Sequence, residues 1–261
     1  MTKLVKGICR LCGEHKPLSF EHIPPRSAFN DSQRLFQTMQ DLLNGKPYSR
    51  FRRGIGKDSL CEDCNKRTGG WYGTAFADWS KQGMEWFEKV GGQASIDLPF
   101  YTRPLNVIKQ IMVMALALSA EQTLNYHYEL RRFILNKDQR YLPPKYRVHA
   151  YFNMNGQPRF VSGMAIMKID SGHGSYVEAE VALPPFGYCI STSLRQTKSL
   201  PDYHQLYDIT WFARYDYDEW SPVYLRLPVR ETHEPLPLDY RSKAEIDEHY
   251  KEQADKEQSK H

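Results

Sequence analysis

Two Cys-x-x-Cys pairs bracket the N-terminal part of the chain: Cys9 and Cys12 within GICRLCGEH, and Cys61 and Cys64 within SLCEDCNKRTGG, with residues 13–60 between them. Each short loop puts two thiolates beside one ion. Four thiolates close a tetrahedral zinc site and leave no position for substrate. The spacing therefore predicts a structural Zn²⁺ that fixes the surrounding segment, because metal binding and folding are linked in small modules. A redox pair would need one such motif, not two. His15 lies three residues past Cys12, but the cysteine set is complete without it, and it reads as a surface residue. The fifth cysteine, Cys189 in FGYCIST, reads as a buried thiol on a strand.

A closed site does no chemistry, so any activity has to come from side chains that the zinc holds in place. Between the knuckles lies FEHIPPRSAFN, carrying Glu21, His22 and Arg26. Neighbours on a strand point to opposite faces, but at a strand end they can converge. Pro24 and Pro25 take the chain away from His22 on a stiff, non-helical path. Asn65 directly follows the last knuckle cysteine, where a helix is expected to start.

Cys-x-x-Cys, then an acidic residue with His, then Cys-x-x-Cys-Asn resembles the HNH, or ββα-metal, endonuclease family, and in layout it is similar to phage endonucleases that resolve branched DNA. The resemblance covers roughly the first 70 residues. It implies a β-hairpin and a helix gripping one catalytic divalent ion beside the structural zinc, with His22 as general base and Glu21 and Asn65 as metal ligands. The family more often has Asp at the place of Glu21. Gly56, Lys57 and Asp58 stand where a middle Asn usually precedes the second knuckle. A neutral His, with a pKa near ~6.5, can take a proton from water. Oxygen ligands favour Mg²⁺ or Mn²⁺ at this second site.

Charge agrees with a nucleic-acid partner. The net charge of +4 is uneven: residues 1–70 carry +6 and the remainder −2. Arg50, Arg52, Arg53 and Lys57 form the densest basic run, and Lys66 and Arg67 sit near the expected helix start, so these six join Arg26 as candidate phosphate contacts. DNA is the expected substrate. RNA has the same phosphates and stays open. A zinc-built binding module without catalysis is the alternative from a different class, and it lacks a second, oxygen-rich metal site near His22.

The remaining chain supplies a scaffold. An apolar content of 41% is enough for a core. The longest apolar run, 111–118, is too short for a membrane span of ~20 residues. A soluble, cytoplasmic protein is expected, with no membrane partner. Residues 26–60 read as an irregular insertion with a helical patch near 33–43. Over 65–90, Tyr72, Ala75, Phe76, Trp79, Trp86, Phe87 and Val90 recur at helical spacing as a core face. Pro99 and Pro104 bracket a turn before a buried helix at 105–120, and another helix is expected at 122–135 with Tyr126, Leu130 and Phe133 inward. Short β-rich segments follow at 146–152, 159–169, 176–183, 188–192 and 207–215. His173, His204 and His233 are scattered singly and read as surface residues. Residues 216–219 and the turn after Trp220 carry no signal.

The fold class expected is α+β, in four parts: an HNH-like nuclease module with zinc knuckles at 1–92, a helical connection at 93–142, an antiparallel β region at 143–238 that recognises substrate or a partner, and a charged tail at 239–261. A homodimer, or a regulatory partner held by the β region, is compatible with this plan.

Overall fold

Strand β1 (Lys6–Ile8) leads into the first knuckle and β2 (His15–His22) leaves it antiparallel, with Lys6 opposite Pro17 and Ile8 opposite His15. The computed structural model describes residues 5–36, 44–47, 49–87, 89, 95–153, 159–167, 176–192 and 206–230. After β2 come a 3₁₀ turn (Arg26–Ala28) and a small hairpin of β3 (Arg34–Phe36) with β4 (Ser49–Phe51). Strand β5 (Gly56–Cys61) returns to pair with β2, giving a sheet in the order β1-β2-β5. Helix α1 (Glu62–Thr68), a π-helical turn (Gly69–Gly73) and helix α2 (Thr74–Phe87) follow as one run. Next are β6 (Ser95–Thr102), α3 (Pro104–Leu118) and α4 (Tyr128–Leu135). The chain continues through β7 (Tyr146–Asn153), β8 (Arg159–Met167), β9 (Tyr176–Leu183), β10 (Phe186–Thr192), β11 (Tyr207–Asp208) and β12 (Ser221–Arg230). These last strands and β6 form a sheet in the order β6-β12-β7-β10-β9-β8, with β11 added on β7. The protein is thus mixed α+β with a cysteine cluster near its N-terminus.

Helix α3 holds the layers together. Pro104 occupies its first turn, where a missing N–H costs nothing, and residues 104–117 are buried on every side, as its apolar composition dictates. Trp79 of α2 does the same for helix and sheet. It is fully buried, stacks on Phe186 at 4.7 Å, lies 4.4 Å from Phe100, and donates its indole N–H to the Tyr188 hydroxyl at 2.8 Å. A buried indole with its polar handle satisfied adds large apolar burial without a desolvation cost. Gly83 makes the approach feasible, because a Cβ there would stand 2.4 Å from the Phe186 ring. One hydrophobic cluster reaches from Cys9 and Leu11 in the first knuckle to Leu227 in β12. Two arginines fasten that knuckle to the helices: Arg10 donates to the Ser119 carbonyl and pairs with Glu121, and Arg131 donates to the Leu11 carbonyl.

Several local expectations change. Arg34–Phe36 is a strand, not the start of a helical patch, and residues 37–43 of that patch lie outside the described residues. The turn expected between Pro99 and Pro104 is in part strand: Ser95–Thr102 form β6 at the end of its sheet, where an edge strand tolerates proline. Tyr126 is exposed, since α4 begins only at Tyr128 and the preceding residues make turns; Leu130 and Phe133 are buried as expected. The segment 207–215 is strand only at Tyr207–Asp208 and then a 3₁₀ turn, Thr210–Arg214. The turn expected after Trp220 is instead the start of a strand, Ser221–Arg230, whose short pairing with β7 is parallel, so the large sheet is not purely antiparallel. Cys189 is buried on β10 and His15 is exposed, both as expected. His173, His204, His233 and the tail 239–261 lie outside the described residues. Among the described residues, no helix is long and apolar enough to cross a membrane.

Candidate active site and metal centre

The cysteines meet where β1, β2, β5 and α1 come together. Cys9 and Cys12 belong to a tight turn closed by Gly13, whose φ of +80° suits glycine and whose N–H donates to the Cys9 carbonyl at 2.9 Å. Cys61 ends β5 and caps α1, and Cys64 sits in the first turn of that helix. Their four Sγ atoms lie within 4.8 Å of one another. The Cys12 and Cys61 sulfurs are 3.9 Å apart, near the ~3.8 Å edge of a tetrahedron with ~2.3 Å zinc–sulfur bonds. The backbone N–H of Cys61 donates to the Cys9 sulfur at 3.3 Å, an interaction that favours thiolate.

The electrostatics of the cluster call for a cation. Contact with the Cys64 thiol, helped by backbone N–H groups, holds Cys9 down to about 4 in spite of its burial. Burial pushes Cys12 up to about 11, and contact with Cys9 together with burial raises Cys64 well above the usual thiol range. Like charges so close cannot all form in a dry site unless an ion of opposite charge compensates them. The four cysteines are therefore positioned to bind a metal ion, and an all-thiolate tetrahedral set suits structural zinc. Among the described residues this is the one group of three or more His, Cys, Asp or Glu side chains so placed.

Beside this cluster a cavity of about 600 Å³ opens, and Glu21, His22, Arg26 and Asn65 all line it. Glu21 and His22 are the last two residues of β2, opposite Lys57 and Gly56 of β5. Gly56 is required by close approach, since a Cβ there would fall 2.0 Å from the Glu21 carbonyl oxygen. One extra residue on β5, Ser59, makes a bulge between the pairs Ser19–Leu60 and Phe20–Asp58. Such bulges twist a strand pair and re-aim its side chains. The chain on either side of this stretch is pinned by Asn30, which donates to the carbonyls of Pro24 and Ile55 at 2.7 Å and accepts the Ile55 N–H at 2.8 Å. One buried amide thus clamps both ends of the excursion that leaves β2 and returns to β5.

Each polar group there has a distinct environment. Glu21 is 6% exposed, and among the described residues no hydrogen bond or ion pair reaches its carboxylate. Burial alone pushes its pKa up to about 7. His22 is half-buried, packs edge-on against Phe20, and its Nε2 lies 3.1 Å from the Arg53 carbonyl. A carbonyl can only accept, so this bond places the proton on Nε2 and leaves the Nδ1 lone pair free to act as a base. Burial lowers the His22 pKa, which keeps the ring neutral near pH 7. The Asn65 amide nitrogen donates to the Ser19 hydroxyl at 3.1 Å and the Phe20 carbonyl at 3.3 Å, tying α1 to β2 and leaving its oxygen as an available ligand. Asn65 is the fourth residue of α1, which starts at Glu62 rather than at Asn65.

Other basic candidates lie elsewhere. Arg50 is exposed and donates to Gln33, Arg52 and Arg53 are exposed, and Lys57 is exposed on β5. Lys66 pairs with Glu62 along α1, and Arg67 lies over the Trp71 ring. None of these six side chains lines the cavity. Asp78 and Lys81 of α2 and Gln110 of α3 line it instead. Sequence gave little reason to single them out: Asp78 and Lys81 are polar positions beside an aromatic stripe, and Gln110 is one polar residue in an apolar helix. No family model, curated protein or solved structure matches the chain.

Proposed function

We propose that the chain is a metal-dependent endonuclease of the HNH, or ββα-metal, kind, with Zn²⁺ in the four-cysteine centre and a Mg²⁺ or Mn²⁺ site beside it. One observation carries this. Glu21, His22, Arg26 and Asn65 come from three different elements, and all line one cavity next to the cysteine cluster. The donor set fits a hard ion, because a buried carboxylate with no partner among the described residues and an amide oxygen flank the same space. Such an ion would supply positive charge to the scissile phosphate and the leaving oxygen.

The chain's own groups do the rest. His22 takes the proton of the attacking water at Nδ1 while the Arg53 carbonyl holds its Nε2–H. Arg26 and Lys81 attract the phosphodiester from the cavity wall. The knuckles keep α1 and the β2–β5 pair in register, so that Asn65 and Glu21 face one space. DNA is the substrate proposed.

The test is nicking of supercoiled plasmid by wild type and His22→Ala, each with Mg²⁺, with Mn²⁺ and without added divalent ion, after measuring zinc content. One bound zinc in both proteins, with metal-dependent nicking in the wild type only, is expected. Equal nicking by both would remove His22 as the base. Binding without nicking would leave a zinc-built nucleic-acid binder.

A further inference from the structure

The floor of the cavity contains two features that the fold does not need. Residues 69–73 read Gly-Gly-Trp-Tyr-Gly and form the π-helical turn, an arrangement that recurs at functional sites. Gly69 has ordinary helical angles, φ −59° and ψ −42°, and neither Gly70 nor Gly73 has the positive φ that would demand glycine. A Cβ at any of the three would meet nothing within 4 Å. Packing therefore does not exclude a side chain, while glycine in a helix costs stability relative to alanine. The turn is anchored by its other residues: Asn106 donates to the Trp71 carbonyl at 2.9 Å, and the Tyr72 hydroxyl donates to the Ile134 carbonyl at 2.6 Å. Gly69 and Gly73 both line the cavity.

The second feature is Gln110 of α3. It is 1% exposed, lines the same cavity, and its Oε1 has no hydrogen-bond partner among the described residues. A buried amide left unsatisfied is destabilising unless something else completes it. Bare helical backbone beside an unpartnered buried amide is what a ligand needs in order to lie close and be read by hydrogen bonding. The volume of about 600 Å³ falls within the ~300–1,000 Å³ of small-molecule sites.

We propose that Gly69, Gly73 and Gln110 form a subsite for an unpaired nucleotide, with the base lying against the bare turn and its edge hydrogen-bonded to Gln110. This rests on the nuclease reading and names its substrate class: nucleic acid that is single-stranded, or carries an extrahelical base, next to the scissile phosphate. A stacked and paired base cannot bring its edge to a group so deeply buried; one taken out of the stack can. Gln is suited to the task because its amide both donates and accepts along a base edge. Arg26 and Lys81 on the cavity wall supply charge for the flanking phosphates.

The test uses the zinc-loaded full chain without added divalent ion, so that binding is scored apart from cutting. Fluorescence anisotropy compares three labelled probes of one sequence: a single strand, a blunt duplex, and a duplex with one unpaired nucleotide. Wild type, Gln110→Leu, Gly73→Ala and Gly73→Val are compared. The wild type is expected to prefer the two probes with unpaired bases. Gln110→Leu should weaken binding to them about tenfold, as for one lost buried hydrogen bond, with duplex binding unchanged. Gly73→Val should erase the preference. Gln110→Leu and Gly73→Ala should melt at or above the wild-type temperature, the opposite of what structural roles for Gln110 and Gly73 would give. Equal affinity of wild type and variants for all probes, or a lower melting temperature for Gln110→Leu, overturns the subsite. If His22-dependent nicking persists in that case, the nuclease reading survives alone. If nicking is absent but single-strand binding is lost in the variants, the subsite stands and catalysis falls.

Discussion

Replacing Glu21 by Gln should stabilise the metal-free protein while abolishing its activity. The carboxylate is 6% exposed with no partner among the described residues, and burial moves its pKa from 4.5 to about 7. Between those values the folded state holds a proton that the unfolded state has released. The group's contribution is thus most favourable in acid, declines as pH rises through that window, and is lost above pH 7. The full cost of keeping Glu21 ionised is up to about 3 kcal/mol. Gln has the same shape and no charge, so it avoids this cost at every pH. The variant should match the wild type near pH 4.5 and exceed it by roughly 2–3 kcal/mol near pH 8, or roughly 5–10 °C in melting temperature. A divalent ion closes the gap: at ~100 times its dissociation constant it returns about 2.7 kcal/mol to the wild type and much less to the variant. Thermal melts across pH, with and without Mn²⁺, measure both effects. Equal stability of the two proteins at pH 8 would refute the burial cost, and equal stabilisation of both by Mn²⁺ would refute the assignment of Glu21 as a metal ligand.

Cys64→Ser should lower the zinc content below one ion per chain and increase proteolysis of the N-terminal segment, measured by metal analysis and limited digestion; full zinc retention would mean that three cysteines suffice. Asn30→Ala removes three buried hydrogen bonds at the neck of the excursion beside His22 and should cost about 2–4 kcal/mol, together with nicking activity, in urea unfolding and plasmid assays. His127 is buried against the Tyr146 hydroxyl, and burial, with Lys145 nearby, lowers its pKa to about 4. The unfolded state therefore takes up this proton first as pH falls from 6.5. Stability complete above 6.5 should decline by up to about 3 kcal/mol toward pH 4, a slope that His127→Gln removes and urea midpoints report.

The elements that the sequence displayed best were those whose signal is local. Residues 104–118 are apolar nearly all round and form a helix buried nearly all round. Tyr72, Ala75, Phe76 and Trp79 are buried on the run where their spacing placed them. Strands 146–153 and 176–183 followed from β-branched and aromatic runs bounded by turns. Proline misled at Pro99 alone. Pro99 lies in β6 at the end of the sheet, and Pro222 and Pro228 lie in β12, which pairs with β7 only at Val229 and Arg230. A missing N–H is harmless beside an open edge, and the sequence does not reveal which edge will be open.

The four-cysteine cluster was legible from sequence alone. Thiol spacing points to a tetrahedral ion, whereas Glu21, His22 and Asn65 were singled out by the resemblance to the ββα-metal family and Arg26 by its charge beside them. Tertiary structure alone decided that these four share one cavity, that Glu21 has no partner among the described residues, that the His22 Nε2 is held by a carbonyl from a distant loop, and that Asp78, Lys81 and Gln110 complete the walls. The reason is physical. Ligand chemistry is set by residue type and short-range chain geometry, whereas a cavity wall is made by elements far apart in sequence. The desolvation that gives a buried Glu or Gln its meaning exists only after those elements have packed.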